Sequence, residues 1–205
     1  MRDLKAIRAD MREAMHHNDA DMLDSVAEEL RANDDPIAHG EAYSISGWSA
    51  FLRGEGRRAI ECYEKAVDVF TQENDQLYLS RVYGNMSAAY NQLKELELAE
   101  QYVRKDLAIK EELGLVEDMR FGYANLGVIL KDRGMNAEAL EAMSRALDLS
   151  TRVGDQNNIN LNNSNLGGLY WQAGRYPEAL RPLYMALDGL RQQGNRPVEA
   201  VTMMM

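Results

Sequence analysis

The chain repeats itself every 40 residues, and that period limits its fold more than any other feature. Ala59, Ala99, Ala139 and Ala179 keep it without a slip, as do Gly47, Ser87, Gly127 and Gly167 twelve residues earlier. Tyr43, Tyr83 and Tyr123 keep it, with Asn163 in the fourth place, and so do Asn85, Asn125 and Asn165, with Ile45 as the exception. Gly54, Gly134 and Gly174 mark one turn, where Lys94 is the odd member; Asn74, Gly114, Gly154 and Gly194 mark another. A unit of this size cannot bury its apolar face alone, so successive units must stack on one another.

The residue types at each register describe the unit. Gly or Ser in the first half and Ala in the second are small residues at helical spacing, which let two helix backbones approach closely. The glycines after each apolar stretch stand where a left-handed C-terminal cap is wanted, with asparagine the usual substitute. Ala139, Leu140, Met143, Ala146 and Leu147 form an apolar helical stripe, and Ala179, Leu180, Leu183, Ala186 and Leu187 form the next. No stretch alternates strictly as a half-buried strand does. Each unit is therefore expected to be two antiparallel helices joined by a tight turn, stacked into an all-α solenoid.

Residues 165 to 187, NLGGLYWQAGRYPEALRPLYMAL, resemble a tetratricopeptide repeat, with Leu166, Gly167, Tyr170, Ala179, Leu183 and Ala186 on its signature positions. Residues 125 to 147 are similar, with Leu130 in place of the aromatic. The unit near Ser80 keeps Tyr90 and Ala99 but has Asp106 where a final small residue belongs; the unit near Gly40 keeps Gly47, Ala59, Tyr63 and Ala66. The resemblance implies a right-handed superhelix. Repeats of about 34 residues are the common form. Six more add about 9 Å of helix per unit, a version similar to the repeats of kinesin light chains, spindle-orientation adaptors and bacterial signalling arms, which hold a peptide or another domain.

The units fall at 40–79, 80–119, 120–159 and 160–199. Residues 1–38 read as a degenerate pair: Leu4, Ile7, Met11 and Met15 give one apolar face, Leu23, Val26, Ala27 and Leu30 a second, and NDDP breaks the second helix before Pro36. Such a pair suits a terminal cap. Residues 200–205 read as the start of a partial C-terminal helix, either the cap at that end or the sign of a longer polypeptide. Its three methionines suit a buried junction or a contact, self-association among them.

Twenty-three Lys and Arg stand against 33 Asp and Glu, for a net charge of -10. That balance excludes the usual nucleic-acid binder and an anionic membrane surface as partners. The single cysteine, Cys62, excludes an internal disulfide framework and fits a cytoplasmic location. No apolar run reaches the roughly 18 residues of a membrane span.

In stacked pairs the first helices line the concave surface. Helical geometry then gives the groove Glu41, Ser44, Ile45, Trp48, Phe51 and Leu52 from the first full unit. Arg81, Gly84, Asn85, Ala88, Asn91 and Gln92 come from the second, and Phe121, Ala124, Asn125, Val128, Lys131 and Asp132 from the third. Leu161, Ser164, Asn165, Gly168, Trp171 and Gln172 come from the fourth. Glu41 and Asp132 balance Arg81 and Lys131, so the acidic excess lies elsewhere.

Asn85, Asn125 and Asn165 are the sharpest functional signal. A carboxamide both donates and accepts, and a row of them can follow the backbone of an extended peptide. The resemblance to 40-residue adaptor repeats implies that role for all three. The competing role is bonding to neighbouring helix backbones. Trp48 and Trp171 are candidate pockets for peptide side chains, or packing between first helices. Arg81 and Lys131 are candidate receivers of an acidic group, and Gln92 adds a carboxamide. The carboxylate clamp of chaperone-tail binders is not expected, since Ser44, Gly84, Ala124 and Ser164 hold its first-helix positions and Trp48 stands where it needs Asn.

GEGRRA, Gly54 to Ala59, satisfies a dinucleotide fingerprint only formally: no strand precedes it, and it coincides with the repeated turn. His16 and His17 near Asp19 and Asp21 do not form a designed metal site, and Asp19 to Asp24 lack the Gly and final Glu of a calcium loop. No nucleophile, base and orienting group recur together. The expected protein is thus non-catalytic and cofactor-free, an interaction scaffold holding a peptide or helix in its groove. The alternative is a sensory arm controlling an attached cyclase, diguanylate cyclase or transcription regulator.

Overall fold

A computed structural model describes residues 2–192; Gly194 and the helix expected at 200–205 lie outside the described residues. Among the described residues there are ten α-helices and no strand, so the chain is all-α. Contacts divide it into two compact units, Met1–Ile109 and Lys110–Met205.

The first unit holds α1 (Leu4–His17), α2 (Ala20–Arg31), α3 (Pro36–Leu52), α4 (Gly56–Gln72), α5 (Gln76–Gln92) and most of α6 (Leu96–Glu112). Here α2 packs on both α1 and α3, and α4 on both α3 and α5. The second unit opens with a 3₁₀ turn at Val116–Asp118, followed by α7 (Met119–Asp132), α8 (Asn136–Arg152), α9 (Gln156–Gln172) and α10 (Tyr176–Gln192). Each of these helices packs on the next in sequence. The first helices of adjacent pairs, α3 with α5 and α7 with α9, touch only lightly.

Three of the four full pairs begin four residues ahead of the units drawn from sequence, because the caps lie there, while α7 begins at Met119 after its 3₁₀ turn. Asp35, Asp75 and Asp155 each accept a backbone N–H from the first turn that follows, at 3.0, 3.0 and 3.2 Å. Pro36 adds a pre-set φ at the first helical position. At the turns the left-handed register appears as expected: Gly54, Gly134 and Gly174 have φ of 79°, 77° and 70°, and Lys94 takes 62°.

Small residues set the pair geometry. A Cβ at Gly47 would lie 2.5 Å from the Tyr63 ring, at Gly127 2.5 Å from Met143, and at Gly167 2.6 Å from Leu183. Where Ser87 takes that register, the residue forty after Tyr63 is the smaller Val103. Asp106 departs from the family pattern yet is buried, accepting a hydrogen bond from Ser80 Oγ at 2.9 Å. Glycine at position 84 leaves room for its carboxylate.

The core of the first unit starts in the degenerate pair, where Ile7, Leu23, Val26 and Leu30 cluster with Ala38, Ala42 and Ile45 of α3. Apolar burial of this kind contributes about 25 cal/mol per Å².

Candidate functional site

On the first unit's first-helix face, α1 reaches α3 through side chains, with Ile7 in the core cluster and Arg8 on Glu41. Glu41, placed in the groove by the sequence, has only 2% of its surface exposed. Its carboxylate accepts both contacts of Arg8 Nε, at 3.1 and 2.9 Å, and the Tyr78 hydroxyl at 2.5 Å. Arg8 also reaches Asp35 at 3.5 Å. One buried carboxylate thus joins α1, α3 and α5. Burial first, then the hydrogen bond to Glu41 and its charge, push the Tyr78 phenol up to about 12. Its ring stacks on Phe70 at 4.7 Å, and Arg81 lies over it at 5.3 Å.

Ile45 is buried in the core cluster, which accounts for its departure from the asparagine register. Trp48 packs against that cluster and stacks on Phe51 at 5.0 Å, and its Nε1 is buried without a partner. Glu41 and Ile45 are therefore buried rather than lining an open groove: the expected face left out the Arg8 and Tyr78 side chains on Glu41 and the core cluster around Ile45. What remains open is the α5 surface, with exposed Arg81 and Gln92 and half-exposed Asn85 and Ala88.

In the second unit the same face is built differently. Phe121 on α7 is 42% exposed beneath the Arg120 guanidinium, 4.0 Å from the ring centroid, and Leu161 on α9 is 54% exposed. Arg120 Nε also meets Asp155 at 3.2 Å, tying α7 to the cap of α9. Burial opposes ionisation of Asp155. Hydrogen bonds from the Asn158 side chain and backbone, together with Arg120, outweigh it and hold the carboxyl below its ordinary value. Asn125, Val128, Lys131, Ser164 and Asn165 are half-exposed, and nothing lies within 4 Å of where a Gly168 side chain would begin. Trp171, 42% exposed, meets Tyr176 edge-on at 4.9 Å.

The carboxamides separate into two sets. Asn160, Asn162 and Asn163 are buried: Asn160 lies against Gly189 and accepts from Gln156 at 2.8 Å, and Asn163 donates to the Ile159 carbonyl at 3.0 Å. Asn162 has an unpartnered Oδ1 and Asn160 an unpartnered Nδ2. Asn85, Asn125 and Asn165, by contrast, make no side-chain hydrogen bond among the described residues.

One regular feature was missed in the sequence. Twenty-two residues after each tyrosine of the 43, 83 and 123 register stands a cation over its ring: Lys65 at 5.8 Å, Lys105 at 5.3 Å and Arg145 at 5.5 Å. In the last pair both members change together, to Asn163 and Met185. The shared offset was the available signal.

The remaining motifs have structural uses. Gly54 is the left-handed turn before α4, Asp19 caps α2, and Asp21 and Asp24 pair with Arg53 at 2.6 and 2.8 Å. Cys62 is half-buried, and burial pushes its thiol up. Among the described residues no three His, Cys, Asp or Glu are placed to hold a metal, and no helix is long and apolar enough to cross a membrane.

The sequence profile of the tetratricopeptide repeat matches residues 119–203. No curated protein sequence matches the chain. Solved structures share its fold at low identity. A Pyrococcus horikoshii signal-transduction ATPase with numerous domains and a tetratricopeptide-repeat sensor superposes with a TM-score of 0.81 at 16% identity, over 96% of this chain and 31% of that one. A Rap protein complexed with competence and sporulation factor gives 0.78 at 15%, over 86% and 49%. Kinesin-light-chain repeats from Podospora anserina give 0.67 at 12%, over 93% of each chain. Residues 119–203 thus match the tetratricopeptide-repeat profile, and the chain shares the fold of solved tetratricopeptide-repeat structures over both units.

Proposed function

We propose that the chain is a non-catalytic interaction module that holds an extended peptide or short helix against its first helices. The observation that carries this reading is the free state of Asn125 and Asn165 on the adjacent helices α7 and α9. Their neighbours in α9 spend their carboxamides inside the protein; these two keep theirs for a ligand. Phe121, Leu161 and Trp171 offer apolar surface to side chains of the peptide, and Lys131 offers a charge to an acidic one. Asn85 carries the same group in the first unit, with Arg81 and Gln92 beside it on α5. Trp48 contributes through packing rather than as a pocket.

Peptides selected from a random display library on the full chain provide the probe. Replacing Asn85, Asn125 and Asn165 by Ala should weaken a selected peptide by about fivefold or more per asparagine in contact, at unchanged helical content. Unchanged affinity for the triple variant would remove the face from consideration.

A second reading, a sensory arm of a larger protein, is favoured by the ATPase and Rap neighbours, of which the chain spans only 31% and 49%. A reading frame that continues past residue 205 into a cyclase or DNA-binding domain would support it.

A further inference from the structure

The second helices carry two outer positions, forty residues apart, that stay exposed in every pair. One holds Glu64, Arg104 and Ser144, then Tyr184; the other holds Lys65, Lys105 and Arg145, then Met185. Stacking does not cover these positions, since Glu64 and Ser144 remain exposed although α5 packs on α4 and α9 on α8. A further helical pair after α10 would therefore leave them open too. Yet Tyr184 is 67% and Met185 53% exposed. Tyrosine, methionine and arginine are the residue types enriched at interfaces.

The charges on this face are self-complementary. Arg181 stands three residues before Tyr184 and Asp188 four after it, so the two lie two turns apart on the same side of α10. Arg181 has no ionic partner among the described residues, and Asp188 receives a hydrogen bond from Gln192 at 3.1 Å. In an antiparallel pairing about a two-fold at Tyr184, each Arg181 faces Asp188 of the second copy. Met185 flanks them. An isologous contact needs a surface that complements itself in this way.

We propose that the outer face of α10 is a self-association surface, on which a second copy of this chain docks antiparallel, α10 against α10, with Tyr184 at the two-fold axis. Light scattering of the full chain over a micromolar concentration series should show the mass climbing from one chain toward two. Tyr184→Ser, which restores the residue type of Ser144, should raise the dissociation constant at least about tenfold. Arg181→Asp and Asp188→Arg should each weaken the dimer, and the two together should restore it, because the swapped charges again face each other. Far-UV helicity checks each variant; should Tyr184→Ser fail to fold, the charge-swap series decides alone. Single-chain mass at every concentration overturns the proposal, as would follow if residues 193–205 or an unrelated protein cover the face. A dimer indifferent to both Tyr184→Ser and the charge swap overturns it equally.

Discussion

The two units use one helical register for different ends. In the first, the first-helix face near α1 is occupied by Arg8, Glu41 and Tyr78, a fully partnered ionic cluster over an apolar core. In the second, the equivalent surface is rich in carboxamides and exposed apolar residues. A hydrogen-bonded buried cluster holds one arrangement, whereas exposed side chains are what a ligand can still bind. On the proposed reading, the first unit's cluster serves stability and the second unit's open surface serves the ligand.

The largest test of that contrast is Glu41→Ala. It leaves Arg8 and Tyr78 without their buried acceptor and should destabilise the first unit by about 3–5 kcal/mol. Amide exchange should rise in α1, α3 and α5 while α8 and α9 keep their protection; equal losses in both units would refute the division. Next in size is the alkaline response. Tyr78 holds its proton more tightly when folded, up to about 12 against an ordinary value near 10, so its contribution is complete below pH 10 and is lost as pH rises toward 12. Tyr78→Phe should cost about 1–2 kcal/mol at neutral pH and remove that alkaline dependence from the first unit. An unaltered pH profile would show that the hydrogen bond to Glu41 does not set it. The smallest effect sharpens the other side. Asn162 stands, fully buried, at the register of Ala42, Val82 and Gly122, with a long 3.4 Å contact to Ser150 and an orphaned oxygen. Asn162→Val should stabilise the second unit by up to about 1 kcal/mol in urea melts and leave ligand affinity unchanged. A clear loss of stability would mean that Asn162 is satisfied in solution.

Much of the fold was legible because it repeats. Gly47, Gly127 and Gly167 announced close helix contacts, and the glycines at 54, 134 and 174 announced left-handed turns, since each places a local demand that one residue type meets. Lys94 was legible as an exception and takes the strained conformation its register requires. The candidate site was legible only in part. Asn85, Asn125 and Asn165 could be picked out by spacing, but whether their amides were spent or free depended on neighbours forty or more residues away. Glu41 and Ile45 were assigned to an open groove because a helical wheel shows which way a side chain points, not which helix arrives there.

By itself, then, the sequence determined the helical pairs, their turns and the resemblance to tetratricopeptide repeats, because those depend on short-range sterics and on a pattern repeated often enough to average out its exceptions. The tertiary structure alone decided that Arg8 would meet Glu41 and Tyr78, that Asp106 would be accommodated by Ser80 and Gly84, and that Tyr184 would stand exposed. Each of these is a single meeting between distant residues, and an event that occurs once in a chain leaves no period to read.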